Sequence, residues 1–156
     1  MLSDAESLSV LKRCTHGVLA LSDQEGFPYS VPMSYVYFNN AIYFHCAMIG
    51  HKIDLIAANP HASFCVVDQD IIMPETFTTH FRSVIAFGNI SCITDRIEKE
   101  RILYILGEKY APGREESLKK EIDGSIMRTN ILRLQIHHMT GKEAIELTRN
   151  RTLHSH

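Results

Sequence analysis

From Tyr29 to Phe38 the side chains alternate with a period of two. Tyr29, Val31, Met33, Tyr35 and Tyr37 fall on one side, and Ser30, Pro32, Ser34, Val36 and Phe38 on the other. This pattern predicts a half-buried strand from Pro28 to Phe38, interrupted at Pro32. Proline cannot donate to a ladder, so the strand belongs at an edge, at a bulge, or where the sheet opens and leaves backbone groups for a ligand. Asn39-Asn40 tolerates the positive φ of a tight turn, and Ala41 to His45 returns antiparallel. The hairpin then delivers the chain to Gly50-His51-Lys52, the opening of a helix. Ile49, Ile53, Ile56 and Ala57 share one face of that helix, and Asn59-Pro60 stops it.

The remaining elements follow from the same periodicities. Ser3-x-x-Glu6 reads as a capping box for a helix ending near Cys14, with Leu8, Val10 and Leu11 on its apolar side. His16 to Ser22 is a strand, Asp23-Gln24-Glu25-Gly26 a turn, and Ala62 to Val67 another strand. Asp68 to Thr79 reads as a loop around Pro74. Phe81 to Thr94 is a long strand with a bulge at Gly88. Asp95-x-x-Glu98 caps a helix whose apolar face holds Ile102, Leu103, Ile105, Leu106 and Tyr110. Ala111-Pro112-Gly113 breaks it, and the charged stretch through Asp123 is solvated helix or loop. Ile131 to Met139 closes the series, with Leu132, Leu134 and Ile136 on one side. Without repeat, low-complexity run or linker, residues 1–156 read as one domain. Its order is mostly antiparallel β with inserted helices, an α+β design around a small barrel or strongly curved sheet.

Charge narrows the partners. Sixteen Lys and Arg are scattered among 18 acidic residues for a net charge of −2, with no basic block for nucleic acid. Gly26 to Gly50 carries no charged residue, yet its prolines, paired asparagines and period-two pattern suit a sheet rather than a membrane span. The acidic N-terminus lacks the basic start and apolar core of a secretory signal, so a cytoplasmic address is expected. Cys14, Cys46, Cys65 and Cys92 form no C-x-x-C pair and read as reduced thiols, not as a disulfide frame or zinc site. His137 and His138 point to opposite faces of a strand, so they do not share a metal, and no metal site is expected.

Three clusters remain as candidate chemistry. At Gly50-His51-Lys52, glycine admits close backbone approach, lysine supplies a fixed charge and histidine an ionisable one. All stand beside the free N–H groups of a helix start, where a phosphate is favoured by hydrogen bonds and by the dipole. An ordinary solvated helix start explains the tripeptide equally well. His45 and Cys46 end the return strand. His45 would face a cofactor ring or substrate, or be a core histidine satisfied by backbone groups, and no separate base is evident for Cys46 as a nucleophile. Arg82-Ser83 stands where a strand start would reach a phosphate or carboxylate, although exposed Arg-Ser pairs are common.

Four segments, taken in order, carry a resemblance. They are HGVLALSDQEGFPYSVPMSYVYFNNAIYFHCAMIGHKIDLIAANPHASFCVV, FRSVIAFGNISCITD, KYAPG and the closing strand into TGK. From about Cys14 to Lys142 the chain resembles the pyridoxamine 5′-phosphate oxidase-like flavoproteins of the FMN-binding split-barrel fold, and most closely their nitroimidazole-resistance branch. The resemblance implies a split β-barrel working as a homodimer, with two FMN molecules in clefts between subunits. It implies that His51 and Lys52 hold the FMN phosphate and that the Val31-Pro32-Met33-Ser34 backbone lines the isoalloxazine edge. His45 and Ala47 would lie on the approach to the flavin, and Ser83 and Val84 would complete the cleft. In that branch a histidine near the flavin is linked to activity. His45 is the first candidate for this catalytic role and His51 the second.

The implied activity is an FMN-dependent oxidoreduction that passes electrons from reduced nicotinamide, NAD(P)H, to a small acceptor such as a nitroaromatic. A flavin- or haem-binding carrier or sensor without turnover is the alternative. The oxidase proper grips pyridoxal phosphate with an arginine-rich C-terminal segment. Here the chain closes with the polar run from Thr148 to His156, which argues against vitamin B6 oxidation.

Overall fold

The computed structural model describes residues 1–23 and 26–153; Gln24 and Glu25 of the expected turn, and residues 154–156 of the polar run, lie outside them. In chain order the elements are α1 (Asp4–Arg13), β1 (His16–Leu21), β2 (Tyr29–Ser34), β3 (Val36–Phe38), β4 (Ala41–Ala47), α2 (His51–Ala58), β5 (His61–Met73) and β6 (Thr78–Ile93). They continue with α3 (Arg96–Tyr110), α4 (Glu115–Ser125), a 3-10 turn (Ile126–Arg128), β7 (Thr129–Glu143) and α5 (Ile145–Leu153). The strands form one antiparallel sheet in the order β2-β1-β5-β6-β7-β4-β3. It curls into a half-barrel flanked by the helices, an α+β split barrel.

The expected single strand from Pro28 to Phe38 is two strands. β2 pairs with β1 at one end of the order, β3 pairs with β4 at the other, and Tyr35 alone joins them. The alternation survives the break because both halves keep the same inner side. Tyr29, Val31, Met33, Tyr35 and Tyr37 all pack on the barrel core, whereas Val36 and Phe38 join a second cluster under α3. Pro32 lies on the edge strand β2, opposite Val18, where its missing N–H costs no ladder bond. Asn39 and Asn40 take φ of 49° and 59°, and the β3–β4 hairpin closes around them as expected.

Asp68 to Thr79 is not a loop. β5 runs on to Met73 and pairs with β6 from Thr78 onward, so only a short turn containing Pro74 and Phe77 separates them. The pattern fails to announce this because the arm projects and leaves both sides wet: Ile71, Ile72 and Phe77 are exposed, so no face alternates. The register shifts between Val67 and Gln69, leaving Asp68 as the bulged residue. The Gly88 bulge occurs as expected, with the extra residue on β7 at His137. A Cβ on Gly88 would stand 1.8 Å from the Gln135 carbonyl oxygen, so only glycine fits.

The barrel is filled by Leu19, Phe44, Phe64, Val66, Val84 and Leu134, with Val10 and Leu11 of α1 at one end and Leu55 and Ile56 of α2 packed on it. The α2 face differs from the expected one. Leu55 and Ile56 are buried and Ile53 half-buried, whereas Ile49 is 86% exposed and Ala57 is exposed. Ser3 and Glu6 form the capping box of α1, and the Asp95 side chain accepts from the Glu98 N–H at the start of α3. The charged stretch is the helix α4. No helix among the described residues is long and apolar enough to cross a membrane.

Candidate functional site

The two ends of the sheet meet at Tyr35, which is fully buried and held on every polar atom. Its hydroxyl donates to the Leu11 carbonyl at 2.8 Å, and its N–H donates to the Tyr110 hydroxyl oxygen at 2.8 Å. Its carbonyl accepts from Lys109 Nζ at 3.1 Å and lies 2.7 Å from the Tyr110 oxygen. Lys109 also donates to the Cys14 carbonyl at 2.5 Å and sits 4.2 Å from the centre of the Tyr35 ring. Burial pushes the Tyr35 and Tyr110 phenols up and the Lys109 ammonium down. The end of α3 therefore clamps the split. In the sequence Tyr110 reads as an apolar-face residue and Lys109 as part of a motif, and nothing local shows that both reach the backbone of residue 35.

Beside this clamp the structure brings together two of the expected site residues. Ser34 at the end of β2 and His45 on β4 line one cleft of about 440 Å³ under α3 and α4. His45 is exposed there and opposite Ile131 in the register, on the side of β4 away from the barrel core. Ala47 is exposed at the strand end, two residues on, opposite Thr129. The following turn is tied down by the Asn130 side chain, which donates to the Met48 carbonyl at 3.3 Å. Gly50 then takes φ of 138°, open to glycine alone among the common residues, and a Cβ there would meet nothing within 4 Å.

His51 and Lys52 open α2, and no side chain caps its N-terminus. The His51 ring meets Tyr29 of β2 edge to face, centroids 5.0 Å apart, so the helix start and the proline-bearing edge strand are neighbours. Lys52 is close enough to Cys46 to pull the thiol pKa down, although burial pushes it up by more. Burial likewise raises the Cys65 and Cys92 thiols and lifts Cys14 to about 11, so none of the four is an activated nucleophile.

Ser83 and Val84 are not brought to this cluster within one chain. They lie on β6, three strands from β2 and roughly 14 Å across the sheet. Val84 is buried in the barrel core, and Ser83 pairs with Val67 and Lys142. Arg82 is spent on the fold. Its Nη1 donates to Asp68 at 3.1 Å and its Nε to Glu143 at 3.0 Å. Among the described residues no group of three His, Cys, Asp or Glu could hold a metal.

A family model described as pyridoxamine 5′-phosphate oxidase matches residues 3–143. The chain belongs to that family. No curated protein matches the sequence at a significant level. Among solved structures, this pyridoxamine 5′-phosphate oxidase family member is similar to a candidate 5-nitroimidazole antibiotic resistance protein from Bacteroides thetaiotaomicron. The TM-score is 0.73 at 20% identity, covering 90% of this chain and 84% of that one. It is also similar to a FAD-binding protein from Mesorhizobium loti, with a TM-score of 0.65, 25% identity and coverage of 92% and 96%. A FAD- and haem-binding protein from Mycobacterium smegmatis gives 0.78 at 19% identity, with coverage of 92% and 72%. The fold is thus shared with flavin-binding proteins.

Proposed function

We infer that this protein binds FMN at the split and is an oxidoreductase, passing electrons from a reduced nicotinamide to a small acceptor. The observation that carries the reading is the meeting, at one seam, of an edge strand opened by Pro32, the strand end bearing His45 and Ala47, and an uncapped helix start with Lys52 and His51. The residues present fit the group. A glycine with open space at its Cβ position, two free helix N–H directions and a lysine charge suit a phosphate monoester. The backbone of Val31-Pro32-Met33-Ser34, paired with β1 on one side only, suits the polar edge of a planar ring system.

Bound flavin supplies the two-electron chemistry, and the protein supplies position and protons. Lys52 and His51 anchor the phosphate, and the one-sided β2 backbone fixes the ring edge. The His45 imidazole, exposed in the cleft, orients the acceptor or hands it a proton.

A homodimer would account for the distance of Ser83, with β6 of a second copy reaching the seam of the first, whereas Val84, buried in its own barrel core, could offer only its backbone there. Val18, Val67, Ile72 and Phe81 lie on the outer face of the sheet and are exposed, an apolar surface that supports such pairing.

Fluorescence titration with FMN tests the anchor. Replacing His51 and Lys52 together with alanine should weaken FMN binding roughly 10- to 100-fold, the effect of losing two charge-assisted contacts. Unchanged affinity would remove the assignment.

A further inference from the structure

The cleft under α3 and α4 holds more than His45. Its walls are Leu103, Leu118 and Ile122, and its volume of about 440 Å³ is that of a small-molecule site. Most polar groups in it are already committed. The Tyr110 hydroxyl serves Tyr35, with the Ser34 hydroxyl bonded to it. Thr129 Oγ1 donates to the Ser125 carbonyl at 3.0 Å, and Ser125 Oγ donates to the Glu121 carbonyl at 2.7 Å. Among the described lining residues, two ionisable side chains have no hydrogen bond or ion pair of their own. They are His45, from the sheet, and the Glu121 carboxylate, from α4. Both line the same largely apolar cleft, one contributed by β4 and the other by α4.

We propose that this cleft is the acceptor subsite, and that it takes a small aromatic or heteroaromatic molecule carrying a cationic or N–H donor group, held by Glu121, and an oxygen acceptor turned toward His45. The apolar walls favour a ring over a sugar or peptide, and a carboxylate facing the ligand selects donors and repels anions. Calling the ligand an electron acceptor rests on the flavin reading; the binding site itself does not.

The test titrates the purified full-length protein, in the flavin state in which it is isolated, with benzamidine, benzamide and benzoate, three rings of one size and different charge. Backbone amide signals of Leu103, Gly107 and Ser125 are followed by NMR. Benzamidine should give saturable shifts at all three, benzamide weaker ones and benzoate none. Glu121→Gln, a change at an exposed position, should weaken benzamidine binding roughly three- to tenfold. Unchanged affinity in that variant, or a preference for benzoate, would overturn the role of Glu121. Silence at the three amides would overturn the site. The visible spectrum of the same sample separates the two readings. A colourless protein that binds benzamidine through Glu121 keeps the subsite and loses the flavin, and a yellow one with an unresponsive cleft does the reverse.

Discussion

Asp68 is the residue on which charge bears most strongly. Its Oδ1 accepts from Arg13 Nε at 2.7 Å and its Oδ2 from Arg13 Nη2 at 2.6 Å and Arg82 Nη1 at 3.1 Å, while Cys14 Sγ lies 3.3 Å from Oδ1. These contacts, the Arg13 hydrogen bonds first, hold its pKa below the ordinary aspartate value. A depressed folded pKa contributes stability that is present in full above the unfolded value near 4 and is lost as pH falls through the folded one. Asp68→Asn should lower stability by about 1–2 kcal/mol at pH 7, a modest figure because Arg13 is 45% exposed. The deficit relative to wild type should shrink as pH falls below the ordinary aspartate range, as urea melts at neutral and acid pH would record. A constant deficit would mean that packing, not charge, is lost. Here the sequence was only half legible. Arg82 was visible as a cation in search of an anion, but its partner sits on a bulge of β5, where α1 also delivers Arg13, 55 residues from Asp68 in sequence.

Among the elements, strands with one buried face were readable in place and type, though Pro28–Phe38 proved to be two strands and β7 runs four residues past Met139, and those wet on both faces were not. β1 and the β3–β4 hairpin fell where the alternation put them, whereas the projecting arm of β5 and β6 looked like loop because backbone pairing leaves no mark in the side-chain pattern. The start of α2 directly after Gly50 was legible from the glycine and the periodicity that follows it. Its packing face was misread because the helix meets the barrel through Leu55 and Ile56. Gly50→Ala places a side chain at φ of 138° with nothing near it, so the fold should survive while the helix start shifts. FMN affinity should fall by roughly tenfold or more with a melting temperature lowered by only a few degrees. Equal affinity would detach the turn from the cofactor. At the other side of the seam, Tyr110→Phe leaves the buried Tyr35 N–H unpaired and should cost about 1–3 kcal/mol, read from denaturant midpoints. A neutral outcome would show that the clamp is not needed to hold the split.

For the whole molecule, one fact organises the rest: consecutive strands β2 and β3 occupy opposite ends of the sheet order, and the barrel is split where they part. The alternation from Tyr29 to Tyr37 runs straight through that point, because both strands turn the same side to the core, so local pattern carried the fold class but not the seam. The seam then explains why Pro32 is tolerated, why His45 and Ser34 share a cleft, and why a helix start meets an edge strand. In one chain Ser83 is out of reach of that cluster and Val84 is buried, so the proposed flavin site would be completed by a second copy. Native mass spectrometry of the protein as purified, or after incubation with FMN, measures both requirements at once. The predicted species is two chains carrying two FMN molecules, collapsing to lower occupancy when His51 and Lys52 are replaced. A single chain that takes up no flavin at saturating FMN would contradict the account.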